Sequence, residues 1–202
     1  EEEAIVTWLW VGEQLGVPID RALMLSVVGY NSRDTEAVFR RALGADFDFE
    51  GARRLRREEG ARRLEKYGVT AKPGALGLVR RLKEEWGLKL AVASSTRREG
   101  VLRSLEKAGM LPFIDAVVGG DEVSRGKPDP MIYQEALSRL GLPAGRCAAV
   151  EDSPVGAESA WRAGLRVLLC PDLIAPDSQT LARIAARVDS LEGAAAVLET
   201  FE

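Results

Sequence analysis

Histidine is absent from the 202-residue chain, and cysteine occurs only twice. Without histidine there is no Ser-His-Asp or Cys-His triad and no histidine-ligated metal site. Any chemistry therefore rests on carboxylates, lysine, hydroxyls and backbone amides. Cys147 and Cys170 stand outside any CxxC pattern, each beside an expected buried strand, which favours reduced packing residues over a Cys147–Cys170 bridge. No apolar run approaches the roughly 20 residues that cross a bilayer. The start, Glu1-Glu2-Glu3, is the opposite of a basic leader, so the expectation is a cytoplasmic protein without membrane contact. One-sided charge is missing too: 28 basic against 31 acidic residues create no field toward nucleic acid.

What is present suffices for one sizeable core and a second, smaller domain, with 46% of residues hydrophobic. The first part reads as helices only. Ile5, Trp8, Leu9, Gly12 and Leu15 recur at helical spacing over 1–15, and Gly16-Val17-Pro18 ends that segment. Asp20 caps a second helix through 28, Asp34 or Ser32 a third through 43, and an Arg/Glu-rich helix runs over 49–67. The arginines of that last helix alternate with glutamates and read as a solvated face rather than a nucleic-acid patch. Trp8, Trp10 and Trp86 read as packing residues. The stretch 68–74, with Pro73-Gly74, is the boundary candidate, giving a helical domain 1–70 and a second domain 71–202.

Beyond the boundary helices and strands alternate. Helix 75–86 leads to strand 88–95, helix 98–108 to strand 116–119, helix 130–140 to strand 147–151, and helix 154–163 to strand 166–170. Short apolar strands separated by amphipathic helices predict an α/β fold with a parallel sheet covered on both faces. Ligands bind such sheets at the carboxyl ends of the strands.

Three of those ends carry polar groups. The first, Ala93-Ser94-Ser95-Thr96-Arg97, offers hydroxyls and amides at the start of a helix, as a phosphate cradle or as an ordinary helix cap. Beyond the second lies Gly126-Lys127-Pro128-Asp129-Pro130, a lysine on a rigid mount. It serves either to neutralise phosphate or carboxylate charge or as a loop lysine before a proline-led helix. The third ends in Glu151-Asp152-Ser153-Pro154. Adjacent acids after a buried run need something cationic and suit magnesium, unless Asp152 or Ser153 only caps the next helix.

Taken together, these segments resemble three of the four motifs of the haloacid dehalogenase superfamily, in order, with Ser94, Lys127 in GKPDP, and Glu151-Asp152 in VEDSPVGAESAWRAG. The resemblance implies a Rossmann-like, doubly wound parallel sheet carrying an inserted helical cap, similar to the branch of β-phosphoglucomutase and phosphoglycolate phosphatase. It implies a magnesium-dependent phosphatase acting on a small phosphorylated metabolite through an aspartyl-phosphate. Lys127 and Ser94 would hold the transferring group, Ser95, Thr96 and Arg97 would add phosphate contacts, and Asp152 and Glu151 would bind Mg2+. Arg33, in a segment that resembles the cap's specificity loop, would meet a second substrate group or else sits exposed near a helix cap. A monomer is expected, with a homodimer as the alternative.

The family's first motif, an apolar strand followed by Asp-x-Asp-Gly-Thr, is not found. Asp46-Phe47-Asp48 has the spacing but no strand before it, and reads as a turn followed by a helix cap at Asp48. The absent strand would be central in the sheet, so the expectation is roughly 15–20 further N-terminal residues that supply it. The competing readings are a phosphoglucomutase-like transferase and a non-catalytic ligand-binding protein.

Overall fold

Three aromatic rings organise the first of the two units into which the computed structural model divides, Glu1–Val69 and Thr70–Glu202. The structure describes residues 2–68 and 71–201. Trp8 lies on α1 (Glu2–Leu15), Phe39 on α3 (Ser32–Leu43) and Phe49 on α4 (Phe49–Tyr67), after the short α2 (Arg21–Leu25). Their centroids are 4.7–5.6 Å apart and all three are buried, so the ring contacts join three helices. Gly16, at φ 64°, ends α1.

Asp20 caps α2 as expected, but the helix stops at Leu25 rather than 28. The cap of α3 is Asn31, whose Oδ1 accepts from Asp34 N at 2.9 Å, in place of the predicted Asp34 or Ser32. Asp48 Oδ1 accepts from Gly51 N at 2.9 Å and caps α4, so the Asp46/Asp48 pair is the turn and cap that its lack of a strand predicts. The arginines of α4 pair with Glu3, Glu50 and Glu59 at its surface. Among the described residues no helix is long and apolar enough to cross a membrane.

In the second unit α5 (Ala75–Arg80) continues as a π-helical turn, Arg81–Glu85. Then follow β1 (Ala91–Ser94), α6 (Arg98–Lys107), β2 (Ala116–Gly119), α7 (Met131–Leu140), β3 (Ala148–Glu151), α8 (Pro154–Arg162) and β4 (Arg166–Leu169). Sequence reading missed α9 (Ser178–Leu181), β5 (Ala186–Arg187) and α10 (Ala194–Leu198), because two to five residues are too few to show a period. Both cysteines are free: Cys170 is buried, and the partly buried Cys147 packs on the cluster under β3 and β4, where burial raises its thiol pKa.

All strand pairs are parallel, and the helices lie on both faces. Val167 and Leu169 of β4 pack with Ala157 and Ala160 of α8. Leu168, on the opposite face, packs with Leu78 and Leu82 near α5 and with Ala194 and Ala195 of α10. The α/β architecture is therefore the expected one, but the sheet is in two pieces, β1-β2 and β3-β4-β5. Among the described residues no strand pairs with the second edge of β1 or of β3. Coverage reflects this: β4 is buried from Val167 to Leu169, whereas in β3 only Ala149 and Glu151 are buried and Val150 is 38% exposed.

The start of the β1-β2 ladder is tied by Asp115, which accepts from Leu90 N and from Lys83 Nζ, each at 2.7 Å. The Lys83 ammonium, then the Leu90 amide, hold its carboxyl below the ordinary value. This stabilisation is present above the unfolded carboxyl pKa of about 4 and is lost as pH falls through the lower folded value. Replacing Asp115 with Ala is expected to cost about 1 kcal/mol. In urea melts the deficit should be constant near neutrality and shrink on acidification; a deficit unchanged down to acid pH would refute the assignment.

Candidate active site

The polar strand ends form two groups. After β1, Ser94 begins a loop into α6; its Oγ accepts from Thr96 N at 3.2 Å, which leaves the hydroxyl proton to donate elsewhere. Gly120 N donates to Thr96 O at 2.9 Å, and Arg98 N donates to Asp121 Oδ1 at 2.8 Å. The loops meet backbone to backbone: a Cβ on Gly119 would lie 2.3 Å from Arg98 N, and one on Gly120 2.2 Å from Ser95 O. Glycine is required at both. Two amides that the sequence offers to a phosphate, Thr96 N and Arg98 N, thus have internal acceptors, and the α6 terminus is partly closed by Asp121. Ser94 and Ser95 are half-buried, Thr96 and Arg97 exposed. The Arg97 guanidinium is 3.8 Å from Asp121.

The second group is buried. Lys127, 7% exposed, directs Nζ to Glu151 Oε1 at 2.5 Å. Its loop is stitched in place: Asp129 N donates to Gly126 O at 2.9 Å, Asp129 Oδ1 accepts from Met131 N at 3.0 Å, and Ser159 Oγ of α8 donates to Asp129 O at 2.7 Å. Glu151, at the end of β3, also accepts from the Tyr133 hydroxyl of α7 on Oε1. Its Oε2 is 3.3 Å from Asp152 N and lies against Gly156, where a Cβ would stand 1.9 Å away. Burial, then the charge of Glu151, pushes the Tyr133 phenol well above its ordinary pKa, so it stays a donor. Sequence reading passed over Tyr133 because, among Ile132, Ala136 and Leu137, it looks like one more core position.

Of the two capping candidates at the third strand end it is Ser153 that caps α8, its side chain accepting from Gly156 N at 3.2 Å. Asp152 is therefore not needed as a cap. It sits half-buried beside Glu151, its carbonyl accepting from Asp172 N at 3.1 Å. Among the described residues no three His, Cys, Asp or Glu side chains cluster as a complete metal site. The donor set nonetheless fits magnesium, which is commonly held by one or two carboxylates with water and substrate phosphate as the other ligands. Arg33 lies in the other unit, exposed in the first turn of α3. A cavity of about 670 Å³ in that unit, lined by Leu15, Val17, Phe47 and Arg54 among others, contains none of these residues.

Introducing Ala at Gly156 should test how tightly Glu151 is held. Helix propensity alone favours Ala by about 1 kcal/mol. The clash displaces a pinned, buried carboxylate, so a net loss of about 2 kcal/mol is expected in denaturant melts. Equal or greater stability would mean that Glu151 moves aside freely.

A family model described as haloacid dehalogenase-like hydrolase matches residues 12–164. The chain is 30% identical over 155 residues to the Phosphorylated carbohydrates phosphatase of Thermotoga maritima, covering 77% of this chain and 71% of that protein. It is 42% identical over 102 residues to Protein CbbY of Rhodobacter capsulatus, 49% of this chain and 44% of that protein. The chain thus spans about half the length of the first curated relatives it matches. A mutant CbbY from Rhodobacter sphaeroides, solved in complex with xylulose-(1,5)bisphosphate, superimposes with a TM-score of 0.82 at 26% identity, covering 95% of this chain and 88% of that one.

Proposed function

Because the chain belongs to the haloacid dehalogenase-like hydrolase family, we propose that it hydrolyses the phosphomonoester of a small phosphorylated sugar in a magnesium-dependent reaction. The observation that carries the reading is the buried Lys127–Glu151 pair with Asp152 beside it at the end of a parallel strand. That is where such folds bind ligands, and carboxylates with a lysine are the groups that phosphoryl transfer uses in the absence of histidine. The phosphatase similar over 155 residues and the sugar bisphosphate bound by the CbbY structure support the substrate class.

In this reading the nucleophile is an aspartate, as in the mechanism that the family resemblance implies, on a strand that would pair with the open edges of β1 and β3. Its carboxylate oxygen forms a bond to phosphorus as the ester P–O bond breaks, and a neighbouring aspartate gives its proton to the departing alkoxide. Water then cleaves the aspartyl-phosphate. The Lys127 ammonium lies against the oxygens of the transferring group and offsets their charge, while Glu151 keeps that ammonium in place. Ser94, its oxygen engaged by Thr96 N, donates its proton to a phosphoryl oxygen, with Ser95, Thr96 and Arg97 around it. Asp152 would hold Mg2+, with Glu151, whose oxygens already meet Lys127, Tyr133 and Asp152 N, reaching it through water, and the ion would supply further charge neutralisation. The helical unit acts as the cap, where Arg33 recognises a second polar group of the sugar.

The natural polypeptide should release inorganic phosphate from an aryl phosphate only with Mg2+. Lys127→Ala and Asp152→Asn should each lower kcat/KM by about 100-fold or more; a wild type that hydrolyses while both variants do so unchanged sinks the site. Arg33→Ala should raise KM for a sugar phosphate about tenfold and leave aryl phosphate hydrolysis unaltered. Equal effects on the two substrates would remove Arg33 from substrate selection.

A further inference from the structure

Tyr133 touches both ends of the buried ion pair. Its hydroxyl donates to the same Glu151 oxygen that receives Lys127 Nζ, and its ring centroid lies 5.2 Å from that ammonium. It also packs on two hydrophobic clusters at once, that of Val118, Ile132 and Ala136 beside β1-β2 and that of Ala149, Ala157 and Val167 beside β3-β4. Lys127 comes from the loop that leaves β2, whereas Glu151 ends β3, so the pair joins two sheet pieces between which no ladder runs among the described residues.

We propose that Tyr133 is a positioning residue for phosphoryl transfer: by bonding Glu151 Oε1 and facing the ammonium with its ring, it fixes where Lys127 stands. The inference rests on the phosphatase reading above. Its physical ground is that lysine is a point charge on a flexible four-carbon stem. One carboxylate oxygen restrains that charge only if the carboxylate itself cannot turn. Oε2 is backed by Asp152 N and by the bare Cα of Gly156, and the Tyr133 hydroxyl fixes Oε1. With the phenol removed, Oε1 keeps only the ammonium as its partner and turns about the Oε2 contact with Asp152 N, and the ammonium follows it, a displacement to which catalysis by a placed charge is sensitive.

Tyr133→Phe keeps the ring and its volume and deletes only the hydroxyl. Two readouts apply to the natural polypeptide. In trace acylation with acetic anhydride followed by mass spectrometry, Lys127 should react about tenfold faster in the variant relative to the exposed Lys107. In kinetics with an aryl phosphate and saturating Mg2+, kcat should fall about tenfold with KM within about twofold of wild type. Glu151→Gln should reproduce the faster acylation, and Tyr133→Phe should add little in that background, because both act through one oxygen. Unchanged Lys127 reactivity, or additive effects of the two substitutions, overturns the proposal. So does a loss confined to thermal stability, with kcat per folded molecule intact. A wild type without phosphatase activity refutes the functional reading instead, and the acylation arm still decides whether Tyr133 holds the pair.

Discussion

An ammonium taken out of water must be met by an opposite charge, and that charge must itself be satisfied, or the fold loses several kcal/mol. Lys127 and Glu151 impose this demand on everything around them. The lysine is carried on a loop tied to itself by Asp129, to α7 by the Met131 amide and to α8 by Ser159. The glutamate is admitted by an absence, since Gly156 has no side chain to occupy its place. Ser153 takes over the capping of α8, so the neighbouring Asp152 is not committed to the helix terminus. The order Glu151-Asp152-Ser153-Pro154 is thus a division of labour: counter-charge, second carboxylate, cap, and a proline at the first helical position, where its missing N–H costs nothing.

The same pair spans the two pieces of sheet. The β1-β2 piece carries Ser94 at one strand end and Lys127 beyond the other; the β3-β4-β5 piece carries Glu151 and Asp152. Gly119 and Gly120 lock the first pair of loops together by backbone contact, and Arg139 reinforces that region by bonding Val117 O and Glu122. Precision within each piece comes from the backbone. Between the pieces it comes from side chains, with Tyr133, Lys127 and Glu151 as a buried polar link beside the Ser159–Asp129 bond.

Much of this was legible in the sequence, and the part that was not has physical reasons. The order of helices and strands from 75 to 170 follows from hydrophobic period, and Gly16 and Asp48 announced where α1 ends and α4 begins. The role of Asn31 was hidden because the run Asn31-Ser32-Arg33-Asp34 contains three residue types that all cap helices, and only geometry selects one. Ser94, Lys127, Glu151 and Asp152 could be singled out as polar groups after apolar strands. That Glu151 is the partner of Lys127 could not, because the two are 24 positions apart and meet only through the packing of α7 and α8. Tyr133 was illegible for the opposite reason: a phenol in an apolar stripe has the pattern of a core residue, and nothing in one dimension reports what its hydroxyl reaches.

Among the described residues one edge of β1 and one of β3 are unpaired, and this has a consequence for behaviour in a crowded solution. A row of unpaired N–H and C=O groups beside an exposed valine is a template for any extended chain, including another copy of the same molecule. Short strands limit the danger, at four residues each, yet neither edge presents lysine, proline or a bulge as a deterrent within its span. A strand paired there would therefore do more than complete a sheet. It would also cover a surface on which copies of the chain could pair, so that resistance to self-association would hang on the same few backbone hydrogen bonds.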